Sequence, residues 1–136
     1  MRITDLKTLI VGNPWKNWLF VKLVTAEGLS GLGEATGGLE TAPIEAQLNE
    51  ISHFIVGEDP LNPTRLWQKM YKGAFLNTSV AMSAIEIACW DILGKHLGAP
   101  LWQLLGGKQR PRLRVYAKAG TRARAIPPFS LRRPVK

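Results

Sequence analysis

The sequence predicts an α+β domain in which a three-stranded antiparallel meander is followed by helices. Three observations support this fold class. Residues 3–35 are rich in β-branched and aromatic side chains separated by turn formers, whereas from residue 40 the apolar residues recur at helical spacing. The composition, 46% hydrophobic and 21% charged over 136 residues, is typical of a globular domain with a hydrophobic core.

The meander is predicted to contain strands at 3–11, 18–25 and 29–35. The connection Ala26-Glu27-Gly28 is short and ends in a glycine, which can adopt the positive φ that a three-residue hairpin loop requires. The second and third strands should therefore pair. The first connection, residues 12–17, places a tryptophan and a lysine between turn formers, which marks it as a candidate functional loop.

Helices should follow the strands. The first begins near Glu40 and ends before Gly57, with the apolar residues Ile44, Leu48, Ile51 and Ile55 at steps of three and four. The second opens at Asn62-Pro63-Thr64, because asparagine caps a helix and proline suits its first position, and it ends near Gly73. The remaining predicted elements are a helix at 79–97, a helical turn at 101–105 and a strand at 112–117.

The helix at 79–97 is apolar nearly all round, so it should be buried between two layers. Met82, Ile87 and Trp90 lie away from its main apolar face. That face comprises Ala81, Ala84, Ile85, Ala88, Ile92 and Leu93. A three-stranded sheet offers only one face to cover, so the second apolar side predicts a partner outside this domain, and association of identical chains is one way to cover it.

The net charge of +8 is concentrated at one end of the chain. Residues 118–136 hold six basic residues and no acid, which leaves twelve basic and ten acidic residues, a net charge of +2, in residues 1–117. The nearly neutral body argues against nucleic acid as a partner.

No apolar run approaches the roughly 18 to 20 residues that span a bilayer, so no membrane association is predicted. The single cysteine and the start Met1-Arg2-Ile3, without the apolar core of a signal peptide, favour the cytoplasm.

No catalytic residue or metal ligand is predicted in this chain. Glu86 and Asp91 are about 140° apart around one helix, so they cannot readily share a metal and should pair with basic residues or helix ends. His53 and His96 lie apart from each other without zinc spacing and are interpreted as surface or packing residues. Cys89 has no nearby base and is interpreted as core.

The glycines of residues 31–38 have the wrong spacing for dinucleotide binding, and no lysine-serine pair follows them. They are interpreted as sources of turn flexibility.

Residues 81–95 read AMSAIEIACWDILGK, and residues 98–107 read GAPLWQLLGG. Together they resemble the signature of the mandelate racemase and muconate-lactonizing family of the enolase superfamily. Cys89 stands where alanine or leucine is commoner, a small change in volume. The similarity also covers Glu27-Gly28, residues 31–34 and Gly57-Glu58-Asp59-Pro60, so that it extends over residues 1–117.

The resemblance implies that residues 1–107 form an enolase-like capping domain and that residues 108–117 are a linker and the first strand of a (β/α) barrel. The active site of such a barrel lies at the carboxyl ends of its strands. Two capping loops would close over it and select the substrate. They consist of Asn13, Pro14, Trp15, Lys16 and Asn17, and of Thr36, Gly37, Gly38 and Leu39.

The family reaction begins when a lysine or histidine base removes the proton beside a substrate carboxylate, and one or two magnesium ions stabilise the enediolate. The resemblance places the acidic ligands on barrel strands downstream of this chain, so magnesium is expected for a full-length member but not for this chain. The likeness is strongest to acid-sugar dehydratases of the gluconate and galactonate type, which implies an aldonate substrate. A racemase or cycloisomerase parent is the alternative, and this chain alone is expected to be inactive.

The family pattern breaks after Leu113-Arg114-Val115-Tyr116-Ala117. Relatives of the dehydratase type continue Asn-Gly-Trp-Tyr, whereas this chain continues Lys118-Ala119-Gly120-Thr121. Permitted codons for this stretch read Gly-Trp-Tyr-Gln in a shifted frame. Residues 118–136 are therefore predicted to be a disordered, out-of-frame tail on a truncated dehydratase.

Two alternatives take the chain as functional. In one, the basic tail binds nucleic acid through phosphates, although only Phe129 could stack on a base there. In the other, the chain associates with a separately made barrel, which would leave the second side of the helix at 79–97 exposed and favour oligomers or aggregation in the isolated chain.

Overall fold

The computed structural model describes residues 1–12, 16–36, 40–73 and 79–115. It confirms the predicted fold class, because a three-stranded antiparallel sheet is followed by helices. The strands are β1 (Ile3–Gly12), β2 (Asn17–Thr25) and β3 (Ser30–Glu34). The helices are α1 (Thr41–Ile55), α2 (Pro63–Gly73), α3 (Ser79–Leu97) and α4 (Leu101–Leu104).

The strands lie in the order β1-β2-β3, each antiparallel to the next. The hairpin between β2 and β3 turns as predicted: the Thr25 amide donates to the Leu29 carbonyl over 2.9 Å, and Gly28 has a φ of 86°. That conformation favours glycine because a Cβ would crowd the backbone. The register follows from this turn and places Leu23 opposite Gly31.

Helices cover one face of the sheet, which is called the inner face here. Leu19, Val21 and Leu23 of β2 point to it and are buried. On β1 the Thr8 hydroxyl donates to the Glu45 carboxylate of α1 over 2.6 Å. In the described residues α1 and α3 contact the sheet, whereas α2 and α4 do not.

Two glycines of β3 allow α3 to lie directly against the sheet. A Cβ added at Gly33 would overlap the Ala84 carbonyl oxygen and lie 2.9 Å from its carbon. At Gly31 an added Cβ would overlap the Ala88 carbonyl oxygen and lie 2.8 Å from Ile92 Cγ1. The interpretation of these two glycines as sources of turn flexibility was therefore wrong: they lie within a strand, where the missing side chain makes room for the helix backbone.

The helices α1 and α2 form a second layer on α3. All four apolar residues predicted to lie on one side of α1 are buried, as are Leu66 and Met70 of α2. Both helices contact α3. The prediction that the second apolar side of α3 needs a partner outside the domain was therefore wrong for most of that side. What stays exposed is a narrow stripe formed by Val80, which is 38% exposed, and Ile87, which is 44% exposed, together with Leu97 at the end of the helix, which is 56% exposed.

The segment after α1 ties the helices to the start of the sheet. The Ile3 amide donates to the Glu58 carbonyl over 2.9 Å, and the Gly57 amide donates to the Ile3 carbonyl over 2.8 Å. Glu58 also pairs with Lys69 of α2 at 2.8 Å, and the hydrogen bond from that ammonium lowers the pKa of the Glu58 carboxyl. The first strand is therefore held to both helices near its amino end.

After α4 the described chain leaves the domain. Residues 113–115 pair with no strand of the described part, and Leu113 and Val115 are 78% and 87% exposed. A lone barrel strand has no neighbour to bond with, so the predicted barrel strand is not formed over these three residues. Tyr116, Ala117 and the predicted tail at 118–136 lie outside the described residues. No helix in the described ranges, α3 included, is long and apolar enough to cross a membrane.

Candidate functional site at one end of the sheet

The two predicted capping loops leave the sheet at the same end. The first joins Gly12, the last residue of β1, to Asn17, the first of β2, and these two residues are paired. The second follows Glu34, the last residue of β3. Because β1 and β3 both run antiparallel to β2, their carboxyl ends lie at the same end of the sheet. The topology therefore brings the attachment points of both loops together, although they are far apart in sequence.

Thr36 fixes the start of the second loop against β2. The Ala35 amide donates to the Leu19 carbonyl over 2.7 Å, which extends the pairing one residue beyond β3. The Leu19 amide in turn donates to the Thr36 hydroxyl over 3.3 Å. The second loop therefore begins beside Leu19, which lies two residues along β2 from Asn17, where the first loop ends.

Lys16 and Asn17 are the described residues of the first loop. The Lys16 ammonium lies 5.2 Å from the centre of the Trp18 ring, a distance at which a cation and an aromatic face attract each other. The Asn17 amide oxygen lies beside Gly12, 2.6 Å from the position a Cβ would occupy there. A positive charge and an amide group are thus present where the loop joins the sheet. The other loop residues, Asn13 to Trp15 and Gly37 to Leu39, lie outside the described residues.

The described residues offer no site for a metal ion. No three of their histidine, cysteine, aspartate and glutamate side chains lie close enough together to hold one. His53 and His96 are exposed at the ends of α1 and α3, in agreement with their interpretation as surface or packing residues. The Glu86 carboxylate accepts a long hydrogen bond, 3.4 Å, from the Trp90 indole. These residues do not fit magnesium, so no step through a metal is assigned to them.

Cys89 is a core residue, as predicted. Its side chain is fully buried, and burial together with the nearby Glu86 carboxylate raises the pKa of the thiol from 9.0 to about 12. Only the thiolate is an effective nucleophile. The thiol is therefore chemically inert at neutral pH.

Asp91 and Lys95 have a structural role that the sequence predicted only in outline. The Asp91 carboxylate accepts from the Lys95 ammonium over 2.8 Å and from the Leu32 amide over 2.9 Å. The ammonium also donates to the Ser30 carbonyl over 2.7 Å. The Leu32 amide and the Ser30 carbonyl lie on the open edge of β3. The ion pair therefore supplies hydrogen-bond partners to that edge and ties it to α3.

Replacing Asp91 by alanine should lower the free energy of unfolding by about 1 to 2 kcal/mol, because the Leu32 amide and the Lys95 ammonium each lose an acceptor. Urea unfolding checks this value, and exchange of the Leu32 amide hydrogen should accelerate in the same variant. Glu86→Ala is the matched control and should cost less than about 0.5 kcal/mol. Equal costs for the two variants would contradict the role given to Asp91.

Comparison with known proteins agrees with this architecture. The sequence pattern of the mandelate racemase / muconate lactonizing enzyme N-terminal domain matches residues 7–106. D-galactonate dehydratase of Variovorax paradoxus is 39% identical over 124 residues, which are 88% of this chain and 32% of that protein. A crystal structure of an enolase superfamily member from Salmonella Typhimurium has a TM-score of 0.73 at 37% identity, covering 80% of this chain and 30% of the other. Muconate cycloisomerase from Pseudomonas fluorescens has a TM-score of 0.73 at 30% identity, covering 80% and 33%.

The chain therefore belongs to the mandelate racemase and muconate-lactonizing enzyme family, and it corresponds to that family's amino-terminal domain. It spans about a third of the length of the relatives it matches. These comparisons confirm the resemblance to this family that the sequence predicted.

Proposed function

We propose that this chain is the capping domain of an acid-sugar dehydratase, with two loops that close over the active site of a barrel. The observation that supports this most strongly is the meeting of the two loop attachments at one end of the sheet, at Gly12 and Asn17 on one side and Ala35 and Thr36 on the other. A substrate lying beneath this end would contact both loops at once. Among the described residues no group of side chains could hold a metal ion, and in this proposal the barrel supplies both the metal site and the base.

Lys16 is the residue we expect to contact the substrate carboxylate. An ammonium attracts a carboxylate, and the contact with the Trp18 ring restricts the movement of the Lys16 side chain. Asn17 offers both a donor and an acceptor to substrate hydroxyls. Thr36 has a positioning role, because its hydroxyl already accepts from the Leu19 amide. Magnesium would be held by acidic residues of the barrel and would stabilise the enediolate when bound there.

The exposed stripe of α3 is the surface we expect the barrel to cover. Val80 and Ile87 lie seven residues apart, two turns along one face of the helix, and both are more than a third exposed. Trp102 of α4 and Leu105 just beyond it are also exposed, at 50% and 62%. A barrel packed against α3 and α4 would remove these apolar side chains from water.

The substrate class follows from the relatives rather than from the geometry. The curated relatives at 38–40% identity are D-galactonate dehydratases or members of that family, which favours an aldonate such as galactonate or gluconate. The similarity to muconate cycloisomerase keeps a cycloisomerase parent as the alternative. The cytoplasm stays a prediction, and the buried free thiol of Cys89 fits a reducing compartment.

A chimeric enzyme tests the proposal. Residues 1–115 of this chain would replace the matched segment of the Variovorax paradoxus D-galactonate dehydratase, and dehydration of D-galactonate would be measured with magnesium present. We expect a folded chimera with measurable turnover, because the cap supplies loops and contacts while the barrel supplies the reacting groups. A chimera that shows a cooperative thermal transition but no turnover would contradict the assignment.

In that chimera, Lys16→Ala should raise KM for D-galactonate about 10-fold or more, the loss expected for one hydrogen bond to a charged group. Lys72→Ala is the matched control, because Lys72 is exposed on α2, which does not contact the sheet. An unchanged KM in Lys16→Ala would place the lysine away from the substrate.

A further inference from the structure

The open edge of β3 carries main-chain groups that another strand could bond to. Along a strand, alternate residues direct their amide and carbonyl groups to opposite sides. The Ala35 amide donates to the Leu19 carbonyl of β2, so the odd-numbered residues of this stretch face β2. Ser30, Leu32 and Glu34 therefore direct their main-chain groups away from β2. A row of such groups is a template for the addition of a further strand.

Asp91 and Lys95 of α3 occupy the middle of this edge. The Leu32 amide donates to the Asp91 carboxylate over 2.9 Å, and the Ser30 carbonyl accepts from the Lys95 ammonium over 2.7 Å. The ammonium and the carboxylate are 2.8 Å apart. One donor and one acceptor from the helix thus bond to two main-chain groups that lie two residues apart on β3.

This arrangement reproduces the bonding of one residue of a parallel strand. In a parallel pair, the amide of a residue donates to a carbonyl of the neighbouring strand, and its carbonyl accepts from the amide two residues further along that strand. Here the Lys95 ammonium takes the place of that amide, and the Asp91 carboxylate takes the place of that carbonyl. An antiparallel strand would need the same two groups of β3. The ion pair must therefore leave before any strand can pair across the middle of this edge.

The edge would be prone to pairing without the ion pair. Leu32 lies at the centre of the five-residue strand, and its apolar side chain is 47% exposed. Unpaired main-chain groups beside an exposed apolar side chain favour the addition of a strand from another chain. The side chains of Asp91 and Lys95 keep 28% and 48% of their exposure. An incoming strand would have to displace these charges or remove them from water, and both are unfavourable.

We propose that the ion pair of Asp91 and Lys95 prevents the addition of a strand at the open edge of β3. It acts by holding the Leu32 amide and the Ser30 carbonyl in bonds with side chains of the same domain. This role is independent of the proposed dehydratase function, because every group that takes part lies within the described residues of this chain.

Removal of both charges from the full chain tests this role. Asp91→Ala combined with Lys95→Ala frees the two main-chain groups, and sedimentation velocity from low to high micromolar concentrations measures self-association. We expect an association constant at least about 10-fold above that of the unmodified chain, because two main-chain hydrogen bonds become available to a second chain. Glu50→Ala combined with Lys72→Ala is the matched control, since it removes one acid and one base that are exposed on α1 and α2. Association through any other surface is common to all three chains and cancels in the comparison.

A third substitution separates pairing at the edge from a loss of folding. Leu32→Pro, added to the double variant, removes the freed amide, and proline is tolerated on an edge strand where the lost N–H faces away from the neighbouring strand. It should return the association constant to that of the unmodified chain, although it restores none of the lost stability. Circular dichroism establishes which chains are folded. Lys95→Ala alone frees only the Ser30 carbonyl and should give a smaller increase, so it replaces the double variant if that chain does not fold.

Three results would overturn this role of the ion pair. The first is a folded double variant that associates no more strongly than the unmodified chain. The second is association that persists after Leu32→Pro is added, since the contact would then lie away from the middle of the β3 edge. The third is an equal increase in the control with Glu50→Ala and Lys72→Ala, which would mean that the loss of any two charges has the same effect.

Discussion

Replacing Gly33 by alanine should lower the free energy of unfolding by about 3 kcal/mol, a large part of the stability of a small domain. The reason is the contact between β3 and α3. A Cβ at this position would overlap the Ala84 carbonyl oxygen and lie 3.2 Å from the Ala88 nitrogen. These are backbone atoms of a helix and cannot rotate away as a side chain would, so either α3 moves off the sheet or β3 is displaced from β2. Equilibrium unfolding in urea measures the loss.

The matched control for this prediction is Gly28→Ala. Gly28 has no atom within 4 Å of the position of an added Cβ, but its φ of 86° strains any other residue. It should cost about 1 kcal/mol through backbone strain alone. If Gly33→Ala cost no more than Gly28→Ala, the close approach of helix and strand would not be a feature of the native packing.

Raising the pH from 9 to 11 should remove about 2 to 3 kcal/mol of stability through Cys89 alone. The folded state raises the pKa of this thiol from 9.0 to about 12, with burial as the main cause and the Glu86 carboxylate as the second. Between these two values the unfolded chain loses the proton and the folded chain keeps it. The unfolded state therefore binds fewer protons, and stability falls as the pH rises, by up to about 1.4 kcal/mol for each pH unit. Below about pH 8 the thiol is neutral in both states and contributes no pH dependence.

The Cys89→Ala chain isolates this effect, because it contains every other titrating group. The difference in the free energy of unfolding between the two chains should be constant up to about pH 8 and should then decrease steadily. A difference that stays constant to pH 11 would mean that the thiol ionises as readily in the folded chain as in the unfolded one. That result would contradict its burial in the core.

The secondary structure could be predicted closely from the sequence because local signals agree with the packing. The third helix was predicted at 79–97 and is observed as Ser79–Leu97. The second begins at Pro63 and ends at Gly73, the residues that mark its two ends chemically. At four of their six ends the strands differ from prediction by one residue, because hydrogen bonding rather than side-chain type decides the boundary.

Tertiary contacts account for what could not be predicted. Gly31 and Gly33 appeared as part of a glycine-rich run, and their role depends on the crossing of α3 over β3. A signal was present in the small residues Ala84 and Ala88, which lie one turn apart on the facing helix. Similarly, the length and spacing of α1 predict an amphipathic helix but not that α1 and α2 both pack on α3. The surface of α3 predicted to need a partner outside the domain was therefore too large.

The first loop was predicted as a candidate functional loop from its tryptophan and lysine between turn formers, whereas the second loop was predicted only through family resemblance. Lys16, Asn17 and Thr36 are separated in sequence and are brought to one end of the sheet by the antiparallel order of the strands. The role of the two loops in substrate selection stays a prediction. The pairing of Asp91 with a lysine was predicted, whereas its bond to the Leu32 amide required knowledge of which strand forms the sheet edge.

The measurement that tests the central claim most directly is the DNA sequence of the gene from the codon for Ala117 through several hundred bases past the codon for Lys136, translated in all three frames. If this chain is the cap of a dehydratase-type enzyme, another frame should continue as alternating strands and helices, with acidic residues spaced along successive strands and a lysine or histidine base. If no frame encodes such a barrel, the account is contradicted. The basic segment at 118–136 would then be authentic, and binding to a partner would replace dehydration as the leading hypothesis.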